Sequence, residues 1–179
     1  TSNALGDSPD DSHVAFFEAV RERLAAIPGV ESVGQTNMLP LTGALANYQF
    51  TRDDRPAPPP GGEDVAELRA ISPGYFETFG IPLLEGRLPS PGDDGAAENV
   101  LFVNRTFAAA FFPDDSPVGK TVSVSLIEGS LRIAGVVGDV NSLGPAVPPL
   151  PSMYLLHAQD TTPYWMRSNA TLLLRVGGD

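Results

Sequence analysis

The chain has 179 residues, 42% of them hydrophobic and 18% charged, which is enough apolar material for one good core or for two small lobes sharing an interface. Its 11 Lys and Arg stand against 22 Asp and Glu, a net charge of −11, so there is no basic face for nucleic acid, and an anionic membrane surface repels it. Cys is absent, which excludes disulfides and thiolate metal sites, and 18 Gly with 18 Pro favour short elements and many turns; the expectation is an α+β fold with more strand than helix.

Residues 1–11 read as a flexible lead, with Ser2-Asn3-Ala4 resembling the remnant of a cleaved tag. Asp11 or Ser12 then caps a helix whose apolar residues Val14, Phe17, Val20, Leu24 and Ile27 fall three and four apart. It stops at Pro28-Gly29, and Val30, Val33 and the run to Met38 read as a strand with the helix lying on its own sheet. Residues 39–47 combine turn chemistry with Leu39, Leu41 and Leu45, which either meet a partner or tuck beneath the sheet. Tyr48 and Phe50 begin a strand that stops at Asp53-Asp54. The proline-rich stretch 55–62 is a stiff hairpin connection in preference to a polyproline ligand. Residues 65–71 alternate as a half-buried strand, with Ala66, Leu68 and Ala70 on one side and Glu67 and Arg69 opposite.

Residues 72–87 form the stretch around which the chain is organised. Ser72 is placed to cap a short helix, Pro73 suits its first position and Gly80 suits a left-handed C-terminal cap. Tyr75, Phe76 and Phe79 make it an apolar plug and a structural keystone. Ile81, Leu83 and Leu84 then read as strand, closed by Gly86. After an acidic loop, residues 100–103 are an uninterrupted apolar strand buried on both faces. Asn104 caps a helix carrying Phe107, Ala110 and Phe111, ended by Pro113. Val122, Val124 and Leu126 alternate, Glu128-Gly129 makes a hairpin turn, and residues 131–140 return. A Pro/Gly loop at 141–152, a short strand at 153–156 and a final strand at 170–176 complete the chain. Trp165, in a polar stretch between those strands, is either a contact residue or a local packing anchor.

Catalytic signals are negative. His13 and His157 are too few for a zinc triad, no nucleophile or dinucleotide motif is present, and Gly119-Lys120-Thr121 lacks the first glycine of a phosphate loop because Asp114 stands there. The paired acids, such as Asp53-Asp54, Asp93-Asp94 and Asp114-Asp115, read as solvated loop charge without a calcium ladder. No cofactor, metal or catalytic residue is assigned.

Six segments taken in order resemble the MacB-like periplasmic core domain of FtsX-type ABC permeases. They are residues 27–33, 39–43, 72–87, 103–107, 112–120 and 133–140. In order and spacing they are most similar to the second extracytoplasmic domain of the large duplicated permeases abundant in acidobacteria. The resemblance implies a periplasmic domain of a bacterial inner-membrane protein, held between transmembrane helices and not an enzyme, the ATPase being a separate part of the transporter. Its implied partners are the rest of the permease, the nucleotide-binding subunit indirectly, and a periplasmic protein. The implied fold is a porter-like βαβ lobe (12–38 and 151–179), incomplete at both ends, with an inserted strand-rich lobe (39–150). Open sheet edges would then allow a homodimer. The implied function is to transmit membrane movement to a periplasmic partner or substrate. Two alternatives predict different geometry: a ligand-binding sensor needs a pocket between the lobes, and a hydrolase needs two loop carboxyls facing each other in a cleft.

Overall fold

The computed structural model describes residues 11–125, 127–159 and 170–177. In order the elements are α1 (Asp11–Ala25), β1 (Val30–Thr36), β2 (Asn47–Arg52), β3 (Asp64–Ile71), α2 (Tyr75–Phe79), β4 (Leu83–Gly86), β5 (Val100–Asn104), α3 (Arg105–Phe111), β6 (Thr121–Val124), β7 (Ser130–Val137), β8 (Ser152–Leu156), a 3-10 turn (His157–Gln159) and β9 (Thr171–Val176). The fold is α+β and rich in strand, and the strands share one mixed sheet.

Six strands of that sheet close on themselves. From β2 the pairing runs to β6, β7, β5, β8 and β3, and β3 returns to β2. Period-2 alternation makes the closure possible, because each paired row places an inward side chain beside an inward side chain. Phe50 meets Val124, Val122 meets Leu131, Leu101 meets both Ile133 and Leu155, and Met153 meets Leu68. All of these are buried in one cluster with Tyr48, Ala66 and Val103. A ring this small is filled by its own side chains. Phe107 and Phe112, from α3 and its C-terminal cap, join the same cluster, and the Asn104 Oδ1 caps α3 by accepting from Phe107 N at 2.9 Å.

The outward face of β3, β8 and β5 is buried too. Ile71, Tyr154, Leu156, Val100 and Phe102 form a second cluster with Tyr75, Phe76 and Ile81, so α2 roofs the ring from outside. Its cap differs from expectation. Gly74 is the N-cap, at φ 89°, and no side chain caps the helix. Ser72 is drawn to β1 instead, where its Oγ accepts from Gln35 N at 2.9 Å and its own N–H donates to Gln35 O at 3.1 Å. A Cβ at Gly74 would lie 2.4 Å from Val33 O, so the close seating of α2 on β1 requires glycine there. Gly80 ends the helix as predicted, with Gly80 N bonded to Glu77 O and Ile81 N to Phe76 O, the two bonds of a Schellman motif.

β1 joins the ring through one pair, Thr36 with Ile71, and carries β9 antiparallel on its other side. α1 packs on β1 with Phe17, Val20 and Leu24 half-buried, while Phe16 and Ile27 are exposed. β4 begins at Leu83, two residues later than expected, and pairs with β7 with Leu83 and Leu84 exposed. Within residues 151–179, expected in the porter-like lobe, β8 pairs on both sides. That strand lies inside the ring between β5 and β3, because Met153 and Leu155 fill the interior while Tyr154 and Leu156 pack beneath α2.

Two measurements follow from this packing. Phe76 is fully buried and Phe79 only partly, so Phe76→Ala lowers unfolding free energy by about 3–5 kcal/mol and Phe79→Ala by clearly less; equal small losses in denaturant titration would show that α2 is not part of the core. His157 is buried, its Nε2 has no partner among the described residues, and burial holds its pKa down to about 4. Between the ordinary value and that one the unfolded chain takes up a proton that the folded chain refuses, so stability falls as pH drops through this window. Relative to His157→Gln, the native protein loses about 3 kcal/mol between pH 7 and pH 4. Parallel stability curves for the two proteins would contradict this.

Candidate functional site

Consecutive residues of β3 carry two loops. Glu67 N–H donates to Pro151 O at 2.9 Å and Leu68 N–H to Ala46 O at 2.8 Å. Ala70 N–H donates to Asn37 Oδ1 at 3.0 Å, and Asn37 N–H returns to Ala70 O at 3.1 Å. Loops 37–47 and 141–151 are therefore both hydrogen-bonded to the same strand. They are also bonded to each other, Leu41 N–H donating to Ser142 O at 2.8 Å.

Beneath the loops lies an ion pair that the alternation of β3 does not reveal. Glu67 and Arg69, expected opposite the core and toward solvent, have side chains 0% and 1% exposed. Glu67 Oε1 accepts from Arg69 Nε at 3.0 Å and from Nη2 at 2.6 Å. Glu67 Oε2 accepts from Ser142 Oγ at 3.2 Å and faces Ser152 Oγ at 3.1 Å, and Ser142 Oγ itself accepts from Arg69 Nη2 at 2.8 Å. Burying two ions costs several kcal/mol each, and only a well-bonded pair recovers it. Burial pulls the Arg69 pKa down, but the charge and hydrogen bonds of Glu67 outweigh it and hold the guanidinium above its ordinary value. Arg69 Nη1 and the Tyr75 hydroxyl are buried with no hydrogen-bond partner among the described residues. Burial pushes the Tyr75 phenol up, against the pull of nearby Arg69.

The same loops expose apolar side chains. Leu41 is 66% exposed and Leu143 is 40% exposed, and Leu45 and Val147 are exposed as well. Leu39 is partly buried, and Trp165 lies outside the described residues. Leu41 sits at φ 68°, the left-handed region that leucine rarely adopts. Of the keystone residues, Tyr75 and Phe76 are buried and Phe79 is partly so. Nothing local in the sequence marks Glu67, Arg69, Ser142, Leu143 and Val147 as site residues. One signal was available: residues 32–51 and 140–156 contain no Asp, Glu, Lys or Arg, in a chain of net charge −11.

The other candidates resolve into ties within the fold. Arg52 lowers the Asp54 pKa to about 2 through its side-chain hydrogen bond, with Lys120 adding to it. Lys120 also pairs with Asp115, which leaves Gly119-Lys120-Thr121 as a turn whose glycine is at φ 86°. Arg87 holds Asp93 below the usual carboxylate range against burial. Asn104 donates from Nδ2 to Leu150 O at 2.8 Å, while its Oδ1 accepts from Ser152 N at 2.9 Å in addition to capping α3. Among the described residues no acidic or His cluster fits a metal ion, and no helix is long and apolar enough to cross a membrane. One open groove lies along α3 and residues 112–117, and another beside β2 and β6; neither falls between the ring and the β1–β9 arm, where the sensor reading needs a pocket.

Comparison with known proteins agrees with this fold. The family described as the MacB-like periplasmic core domain matches residues 3–175. The macrolide export ATP-binding/permease protein MacB of Aggregatibacter actinomycetemcomitans is 32% identical over 74 residues, which is 41% of this chain and 11% of that protein. The chain thus spans about a tenth of this relative's length. The crystal structure of the periplasmic region of MacB from Actinobacillus actinomycetemcomitans superposes with a TM-score of 0.61 at 19% identity, over 90% of this chain and 65% of that one. The extracellular domain of the ABC-type transporter YknZ from Gram-positive bacteria gives 0.58 at 18% identity, over 90% and 73%.

Proposed function

The chain belongs to the family of MacB-like periplasmic core domains and is an extracytoplasmic domain, and from that premise we propose that it serves an ABC-type permease without catalysing a reaction, passing membrane movement to a partner protein docked on loops 37–47 and 141–151. The observation that supports this reading most strongly is the pairing of exposed leucines with an absence of charge on two loops bonded to one strand. The centre of a protein interface is depleted of charged residues, because a charge there must be desolvated. A domain of net charge −11 that leaves these loops neutral has a place where a partner can close without burying carboxylates. The occupant it fits is an uncharged, apolar segment of a different protein, since a second copy would bring together two domains each of net charge −11. The closed ring suits transmission: its six strands are cross-paired in a cycle, so no free ring edge can slide and the loops move with the body that carries them.

A photo-crosslinking residue at Leu41 or Leu143 in the intact membrane protein tests this reading. The expected result is an adduct to an uncharged apolar segment of another protein, lost in Leu41→Glu/Leu143→Glu and changed in yield between ATP-loaded and nucleotide-free membranes, with no adduct from Ser130, an exposed residue of β7, which stands three strands from β3 in either direction around the ring. Equal adducts from Ser130, or adducts only to a second copy, would overturn it.

A further inference from the structure

Glu67, Arg69 and Ser142 link the outer wall of the ring to both loops, and the bonding is asymmetric in an informative way. Two serines face Glu67 Oε2 at nearly the same distance, Ser142 at 3.2 Å and Ser152 at 3.1 Å. Ser152 opens β8, which the ring already holds on both sides, and its hydroxyl has Leu150 O within reach at 3.0 Å. Ser142 lies in the loop, and its side chain meets both members of the ion pair. The backbone of the same residue accepts from Leu41 N, so the second loop depends on it too. Leu41 holds its left-handed backbone at that contact.

We propose that Ser142 is a positioning residue: it clamps the docking loops to the buried Glu67–Arg69 pair and so sets the arrangement in which Leu41 and Leu143 are presented. This deepens the partner-docking reading and rests on it for its purpose. The clamp itself concerns the chain alone and stands or falls without any partner. Arg69 also lies against Tyr75 of α2, so the clamp is continuous with the element that joins the ring to β1.

Amide hydrogen exchange on the 179-residue chain, comparing Ser142→Ala with Ser152→Ala, tests the proposal. Both variants remove a buried hydroxyl beside the same carboxylate oxygen, so a general loss of stability affects them alike. The clamp predicts that Ser142→Ala speeds exchange in both loops by about tenfold, the effect of one lost buried hydrogen bond, while β5 and β7 keep their protection. Ser152→Ala leaves the loops as protected as before. Unchanged loops in Ser142→Ala, or the same loop opening in both variants, would overturn the proposal. Ser142→Thr, which keeps the hydroxyl, is expected to restore protection, and failure to do so also counts against the clamp. A missing adduct in the crosslinking test, with the exchange result intact, would remove the partner and leave the clamp.

Discussion

The buried pair of Glu67 and Arg69 is the constraint that decides where the two loops lie on the ring. A strand that closes a ring has one face committed to the interior, and β3 commits Ala66 and Leu68 there. Its other face would be free to meet water, and a carboxylate and a guanidinium two residues apart suit water well. Both side chains are instead roofed over. Two buried ions are tolerable only when they are bonded to each other and to further polar groups, and those groups must come from elsewhere in the chain. Ser142, 73 residues from Arg69, and Ser152 supply them. The need to satisfy a buried ion pair thus fixes where a distant loop lies, which no apolar contact would specify as sharply.

The ring and the roof divide the work. Interior rows of Val, Leu, Ile and Phe supply most of the burial, each fully buried side chain contributing about 1.5–3 kcal/mol, and α3 adds Phe107 to the same cluster. Outside, α2 spans from β1 to the ring, with Tyr75 and Phe76 against Tyr154 and Phe102. The loops add little apolar burial of their own; they expose it. Exposed leucine on a neutral surface, presented by loops pinned at both ends, is an arrangement that association uses and that folding alone does not need.

Much of the fold was legible in the sequence because it follows from local rules. The cap at Asn104, the left-handed Gly80 and the doubly buried strand of residues 100–103 all depend on neighbours within a few positions, and each is found. Ser72 misled because a serine before a proline suits a helix cap, while a strand 37 residues away offered it a better partner. Glu67 and Arg69 misled for the same reason on a larger scale. Alternation separates two faces of a strand but says nothing of what later covers them. Closure of the ring through β8 was equally hidden: an apolar run such as residues 153–156 fits any buried strand, and its neighbours are set by the whole topology. The leucines of loop 39–45 were visible as candidates, whereas their companions Leu143 and Val147 required the contact between Leu41 and Ser142.

The family places the domain outside the cytoplasmic membrane. The central claim is that the ion pair organises these loops and does not hold up the ring. Replacing both ions together, Glu67→Leu with Arg69→Met, separates the two roles, because apolar residues of similar size leave no charge stranded. Thermolysin digestion under native conditions, read together with a urea titration, measures both at once. The account predicts cleavage beside Leu41 and Leu143 at least about tenfold faster, with the urea midpoint unchanged or higher. Loops as resistant as in the native protein, or a ring that no longer unfolds in one cooperative step, would contradict it.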